Sequence, residues 1–220
     1  MRFAVLAADT TLFTIRDGRL SVRLISVNRP PFYKNVWGLP GGLLHPKETA
    51  DDAALRHLKE KANVALLHVY AEQLYTFSDP NRDPRGRVVA VAYLALVPWN
   101  ALTPEERGDT ADVKWSPIEH TKNLAYDHDT ILSVALMRLR SRIRYTTLIA
   151  KLMPDEFTLT ELEKAYESIL KAALDKRNFR KKILKLKIVK KRPYKRTGKR
   201  SRPAQLYEFA SPSVKEIEML

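Results

Sequence analysis

The sequence predicts an α/β domain, a mixed sheet held between helices, followed by a smaller basic module of three helices and a β-hairpin. Three observations lead there. Strand-like apolar runs bracket one strongly patterned helix in the first two thirds of the chain. Positive charge concentrates in the last third, where residues 138–202 hold 22 Lys/Arg against 6 Asp/Glu. That basic stretch also keeps aromatic and aliphatic residues at helical and strand spacing, which a solvated, disordered tail lacks. The chain has 220 residues and a formal net charge of +14, so everything outside the basic stretch is slightly acidic overall. Two units are therefore expected, residues 1–144 and 145–220.

Each element has a local reason. RFAVLAADTTLFTI (2–15) and LSVRLISVN (20–28) read as strands joined by a turn at Asp17-Gly18. VVAVAYLALVP (88–98) is continuously apolar, as a strand covered on both faces is. Residues 113–118 read as a short strand. Residues 127–144 read as a helix with Ile131, Leu132, Ala135 and Leu139 inward. Residues 145–153 read as a further helix, stopped by Pro154. Residues 157–162, FTLTEL, have the form of a capping box with a hydrophobic staple: Thr158 as N-cap, Glu161 three residues on, Phe157 against Leu162. Leu159, Leu162, Ala165, Tyr166 and Ile169 continue that helix on one face. A third helix is expected after Asp175, with Phe179, Ile183 and Leu186 inward and Lys176, Arg177, Arg180 and Lys181 outward. Two short strands, KIVKK (187–191) and QLYEF (205–209), should flank a basic loop.

Composition sets outer bounds. Hydrophobic residues make up 45% of the chain, enough for packed cores. Cysteine is absent, which excludes disulfides and thiolate metal sites. No apolar run reaches membrane-spanning length and no signal peptide is legible, so a cytoplasmic protein without a membrane partner is expected. The positive surplus points instead to a polyanionic partner.

One segment carries a motif of hydrolytic chemistry with its metal ligands removed. In GGLLHPKETADDAALRHLKEKANV (41–64), Gly42, Glu48, Arg56, Leu58, Glu60 and Val64 keep the spacing of a Nudix box. That box is Gly, five residues, Glu, seven residues, then Arg-Glu-apolar-x-Glu-Glu-x-Gly-apolar. Three positions depart: His57 and Lys61 stand where glutamates belong, and Asn63 where glycine belongs. Positions 57, 60 and 61 share a helix face, so the expected carboxylate cluster reads His, Glu, Lys. Hard cations such as magnesium need oxygen ligands, and an ammonium competes with them. The site reads as hydrolytically dead, with Glu48 and Arg56 as a structural ion pair. The preceding NVWGLPGG (35–42) gathers three of the seven glycines, which permits a tight turn and close backbone approach to a ligand. Ala50, Ala53, Ala54, Leu55 and Leu58 make the inward stripe of the helix.

Three helices followed by a hairpin with a basic loop is winged helix-turn-helix order. In that arrangement the third helix enters the DNA major groove and the wing touches backbone or minor groove. Asn178 suits an adenine edge and arginines suit guanine, with the remaining cations left for phosphate.

Taken together, WGLPGG, the eroded box, SDPNRDPRGRVVAVAYLALV (78–97), LAYDH (124–128), LDKRNFRKKI (174–183) and RPAQLYEF (202–209) resemble the Nudix-related transcriptional regulators of bacteria, best known as repressors of NAD metabolism. The resemblance covers nearly the whole chain. It implies an α/β Nudix fold followed by a C-terminal winged helix-turn-helix domain, ADP-ribose as effector, no required cofactor, and operator duplex bound by a homodimer. It places Lys176, Arg177, Asn178, Arg180 and Lys181 on the recognition helix and Arg196, Lys199, Arg200 and Arg202 on the wing. For the effector it points to Trp37, Pro40, Gly41, Gly42, Arg56 and Glu60, with Arg82, Asp83, Arg85 and Arg87 as a second polar cluster suited to a pyrophosphate. The residues alone leave other readings open. The effector could be a sugar. Glu60 with Glu72, Asp79 or Asp83 could still hold a cation for a working hydrolase acting on ADP-ribose. The basic module could serve RNA. Arg82 and Arg85 could sit in a solvated loop, and Trp37 could be plain core.

Overall fold

A computed structural model describes residues 3–198 and 201–217. Its first unit is a mixed, seven-stranded sheet between helices, as expected. The strands are β1 (Val5–Arg16), β2 (Arg19–Arg29), β3 (Tyr33–Gly38), β4 (Gly41–Leu43), β5 (Tyr70–Phe77), β6 (Val88–Leu96) and β7 (Val113–Pro117). Asp17 and Gly18 both adopt positive φ, 51° and 74°, which gives the β1–β2 turn the twist of a two-residue hairpin. β1 runs parallel to β6 from Val5 opposite Val88 to Phe13 opposite Leu96. β1 pairs with β2 only over Phe13–Arg16; nearer its start its partner is β4, through Ala7–Asp9. A cleft opens where β1 leaves β2. Strands β3, β4 and β5 are not among the elements expected from the sequence.

Residue alternation along the strands explains the layers. Leu12, Ala95 and Val97 face one side, packing with Leu58, Ala62 and Val64 at the end of α1 (Ala50–Glu60). Phe13, Leu94 and Leu96 face the other, where α3 (His128–Tyr145) buries Ile131, Leu132, Ala135, Leu139 and Ile143. The short α2 (Pro104–Arg107) starts at a Thr103–Glu106 capping box. Arg23 is fully buried, donating to the Ala62 and Gly108 carbonyls at 2.9 and 3.1 Å, and so ties β2 to the end of α1.

The second unit contains α4 (Leu159–Leu170), α5 (Lys176–Lys185) and the hairpin β8 (Val189–Gly198) and β9 (Ser201–Phe209). Thr158 caps α4 with Glu161 in the reciprocal geometry expected, and Phe157 and Leu162 are both completely buried. Phe157 also exchanges two backbone hydrogen bonds with Tyr207, joining the start of α4 to the hairpin. Two expectations need correction. Residues 145–153 form no full helix: only Leu148–Lys151 make a single 3-10 turn. The reason is the C-terminal segment, which claims the backbone. Thr147 donates to Lys215 at 2.8 Å and Ile217 donates to Tyr145 at 2.7 Å. The two strands of the wing are also longer than expected, β8 reaching Gly198 and β9 starting at Ser201.

The core does not stop at residue 144. Leu139 and Ile143 of α3 share one apolar cluster with Leu148, Leu162, Tyr166 and Ile183. The Ser168 hydroxyl accepts from the Leu20 backbone at 2.8 Å, and Arg140 donates to the Ile169 carbonyl at 2.8 Å. Among the described residues no helix is long and apolar enough to cross a membrane.

Candidate functional site

A cleft of about 510 Å³ opens between β1, β2 and β4, within the size range of small-ligand sites. Its floor is a buried charge network. Arg82 donates to Asp9 at 3.0 Å and to both Asp127 oxygens at 2.9 and 2.6 Å. The Leu39 N–H donates to His128 Nδ1 at 2.9 Å. That contact leaves the proton on Nε2, which stands 3.8 Å from Asp9. Burial alone would raise the Asp9 pKa. The His128 Nε2–H dipole beside it and the paired Arg82 guanidinium outweigh burial and hold the carboxyl below its ordinary value. Arg82 therefore lies 6% exposed in the fold, not in a solvated loop.

An aromatic wall stands beside this floor. The ring centroids of Tyr33 and Tyr126 are 4.7 Å apart, those of Tyr126 and His128 5.1 Å, and the Arg85 guanidinium lies 5.0 Å over Tyr126. Arg85 is held there by Asp83 through contacts of 2.9 and 2.7 Å. Two further cations line the cleft and hydrogen-bond to carbonyls: Arg29 to Asn28 at 3.0 Å, and Lys61 to Gly41 at 2.7 Å.

The eroded box forms the cleft's rim. Thr49 and Asp52 cap α1. Arg56 binds Glu48 through contacts of 3.0 and 2.5 Å and the Leu43 carbonyl at 3.2 Å, clamping the loop to the helix. The hydrogen bond from Arg56 draws the Glu48 carboxyl down to about 2. His57 is buried, and desolvation, together with the charges of Lys61 and Arg56, lowers its pKa and favours the neutral ring. Glu60 is exposed and reaches Arg56 at 3.4 Å. This donor set does not fit a hard divalent cation: one carboxylate remains on the face, beside a guanidinium, with an ammonium on the loop carbonyl.

Only glycine fits at Gly41, where a Cβ would lie 2.8 Å from the Ala8 carbonyl oxygen and 2.0 Å from the Asp9 carboxylate, and one on Gly42 would lie 2.9 Å from the buried His57 ring.

Of the residues expected at the effector site, Gly41, Gly42, Arg82, Asp83 and Arg85 line this cleft. Five others do not. Trp37 packs on the core with Lys114 Nζ 4.0 Å over its ring, and Pro40 accepts from the Thr10 backbone at 2.8 Å. Arg56 and Glu60 pair with each other and Glu48, and Arg87 donates to the Ser78 carbonyl at 2.8 Å beside a smaller hollow. Sequence reasoning missed Asp9, Arg29, Lys61 as a lining residue, Tyr126 and His128. A lone aspartate inside the apolar run AVLAADTT was the available signal for Asp9.

The second surface is α5. Asp175 accepts from the Asn178 backbone at 2.7 Å and starts the helix. Lys176, Arg177, Asn178 and Lys181 are exposed, while Phe179 and Ile183 anchor the opposite face. Arg180 is half-buried and donates to Thr160 at 2.7 Å, pinning α5 to α4. On the wing, Arg196 turns back to Glu161 at 2.6 Å. Lys199 and Arg200 lie outside the described residues, and Arg202 falls in β9.

Comparison with known proteins fits this division. Residues 7–134 match the family model of the NUDIX domain, and residues 149–209 match that of the NrtR DNA-binding winged helix domain. The chain is 34% identical, over 94% of its length and 82% of the relative's, to the ADPR responsive transcriptional repressor NtrR of Acinetobacter baylyi. It superposes on Shewanella oneidensis NrtR complexed with a 27mer DNA at a TM-score of 0.81 and 33% identity, covering 93% of each chain. The NUDIX domain of the same protein complexed with ADP ribose matches at a TM-score of 0.54 and 36% identity, over 63% of this chain and 90% of that one. With a NUDIX domain, an NrtR winged helix domain and a relative matched along almost its full length, the chain belongs to the NrtR family.

Proposed function

We propose that this protein is a transcriptional repressor that binds operator duplex through its C-terminal winged helix and releases it when ADP-ribose occupies the cleft. Residues 1–144 serve sensing and residues 145–220 serve DNA binding. The observation that carries the reading is the cleft itself. It combines Lys61 and Arg29, hydrogen-bonded to carbonyls and suited to a diphosphate, with the aromatic ring of Tyr126 in its lining. Relatives are named for ADP-ribose response and crystallised with DNA and with ADP ribose. The same geometry argues against hydrolysis, because Lys61 and Arg56 occupy the face where a divalent cation would need carboxylates. The regulated genes are those of NAD metabolism, as the family resemblance implies, and a two-fold dimer reads a pseudo-palindrome.

α3 provides the route between sites. Asp127 and His128 begin it at the cleft floor, and its far end packs against α4. A ligand that favours one setting of α3 over another shifts the winged helix with it.

The test is fluorescence anisotropy of a duplex from upstream of the gene, at fixed ionic strength, with and without ADP-ribose. Tight binding that ADP-ribose weakens, with the nucleotide recovered intact, is the expected result. Binding indifferent to ADP-ribose would overturn the effector assignment and favour a sugar. Consumption of the nucleotide would overturn the non-enzymatic reading.

A further inference from the structure

We infer that Lys61 is a built-in replacement for the divalent cation of a Nudix site, so that the cleft takes its diphosphate ligand without metal. This inference rests on the effector reading above and deepens it. Lys61 caps the C-terminal end of α1, one residue after Glu60. Its ammonium donates to the Gly41 carbonyl at 2.7 Å, on the loop that forms the cleft rim. A cation bound at this rim would compete for that carbonyl, and the lysine already occupies it. The ammonium has three donors, and one is used on Gly41. The others are available to a phosphate oxygen.

The surroundings are arranged around that ammonium. Gly42 leaves room for it: a Cβ there would lie 2.6 Å from Nζ and 2.9 Å from the His57 ring. His57, at another of the three carboxylate positions, is buried beside it and favours its neutral form, so it sets neither a carboxylate nor a second positive charge against the ammonium. Glu60, the carboxylate that survives, is drawn to Arg56 at 3.4 Å. Of the acids that line the cleft, Asp9 and Asp83 are engaged by Arg82 and Arg85, and Asp112 lies on the lining with no ion pair among the described residues. The substitution of lysine for glutamate changes the sign of the local charge and keeps the site's attraction for a diphosphate. It removes the metal-bound water that hydrolysis needs. Binding and chemistry are thereby separated at one position.

The experiment is calorimetric titration of ADP-ribose, and separately of inorganic pyrophosphate, into the full chain in EDTA and in magnesium. The variants are K61M, K61R and K61E, each first checked for an unchanged melting transition. The native protein should bind ADP-ribose equally, within about two-fold, in both buffers. K61M should bind about ten-fold more weakly in both, the scale of one charge-assisted hydrogen bond. K61R should retain metal-free binding. K61E should bind poorly in EDTA and recover in magnesium, because a second carboxylate then stands beside Glu60. Native binding that requires magnesium, or K61M binding as tightly as native, overturns the inference. If ADP-ribose binds in neither buffer, the effector reading falls. Pyrophosphate binding in EDTA that K61M loses would then still support the lysine's role, and pyrophosphate binding indifferent to K61M would overturn it.

Discussion

The cleft and the outer face of α5 are both rich in cations, and they use them in opposite ways. In the cleft, Arg82 is committed to Asp9 and Asp127, Arg85 to Asp83, and Arg56 on the rim to Glu48. These guanidinium groups fix a shape, and only Lys61 and Arg29 are left with carbonyl partners. On α5, Lys176, Arg177 and Lys181 are exposed, on a helix with no acid in its first turn. A small ligand of defined geometry needs preorganised walls and a few well-placed charges. A duplex supplies a row of phosphates, and loosely held lysines and arginines suffice to neutralise it. Net charge alone could not have separated the two roles; the difference lies in which cations are paired and buried.

The sharpest way to break the comparison is to remove a committed cation. R82A leaves the Asp9 and Asp127 carboxylates without their partner in a buried site, which costs about 3–5 kcal/mol. Urea unfolding should register that loss, and ADP-ribose binding should disappear with it. A mild stability change would mean that Arg82 is not the keystone of the floor.

Removing free cations should do the reverse. R177A combined with K181A should change stability by no more than about 0.5 kcal/mol, since neither residue is buried. Duplex affinity should fall, and the dependence of log affinity on log salt should flatten by about 0.9 for each phosphate no longer neutralised. An unchanged salt slope would remove these residues from the DNA face.

A smaller effect sharpens the boundary between the units. T158A deletes the α4 cap and should cost about 1 kcal/mol. Because α3 and α4 share one core, the loss should appear in a single transition for the whole chain. Two separate transitions would show that the units melt independently.

The smallest effect is a pH dependence at the box. The ordinary histidine pKa is 6.5 and burial lowers that of His57 in the folded protein. Its contribution to stability is therefore complete above pH 6.5 and is lost as pH falls from there through the depressed folded value. H57Q should flatten the stability profile below about pH 7. An unaltered profile would mean that another group controls that limb.

Local features of this fold were legible in the chain. The Asp17-Gly18 turn, the inward face of α3, the Thr158–Glu161 box and the Asp175 start of α5 all follow from residues a few positions apart, and the structure places each where the pattern does. What escaped depends on distance. Asp9, Arg82 and Asp127 stand 73 and 45 residues apart from partner to partner, and no local pattern joins them. Arg82 therefore looked as much like a solvated loop residue as a buried one. Residues 145–153 have a helical pattern, yet the C-terminal segment takes their backbone hydrogen bonds, a tertiary choice that outweighs local propensity. Trp37, at the end of β3, and Pro40, just before β4, stand next to the cleft, but the Trp37 ring packs on the core and Pro40 contributes its carbonyl to Thr10.

The most direct test of the central claim, that the committed cleft and the free helix are energetically linked, is reciprocity. ADP-ribose should be titrated calorimetrically into the free protein and into the protein saturated with operator duplex. Linkage requires its affinity to fall in the complex by the same factor by which ADP-ribose weakens duplex binding. Equal ADP-ribose affinity with and without duplex would contradict the account, because cleft and winged helix would then be two independent sites on one chain.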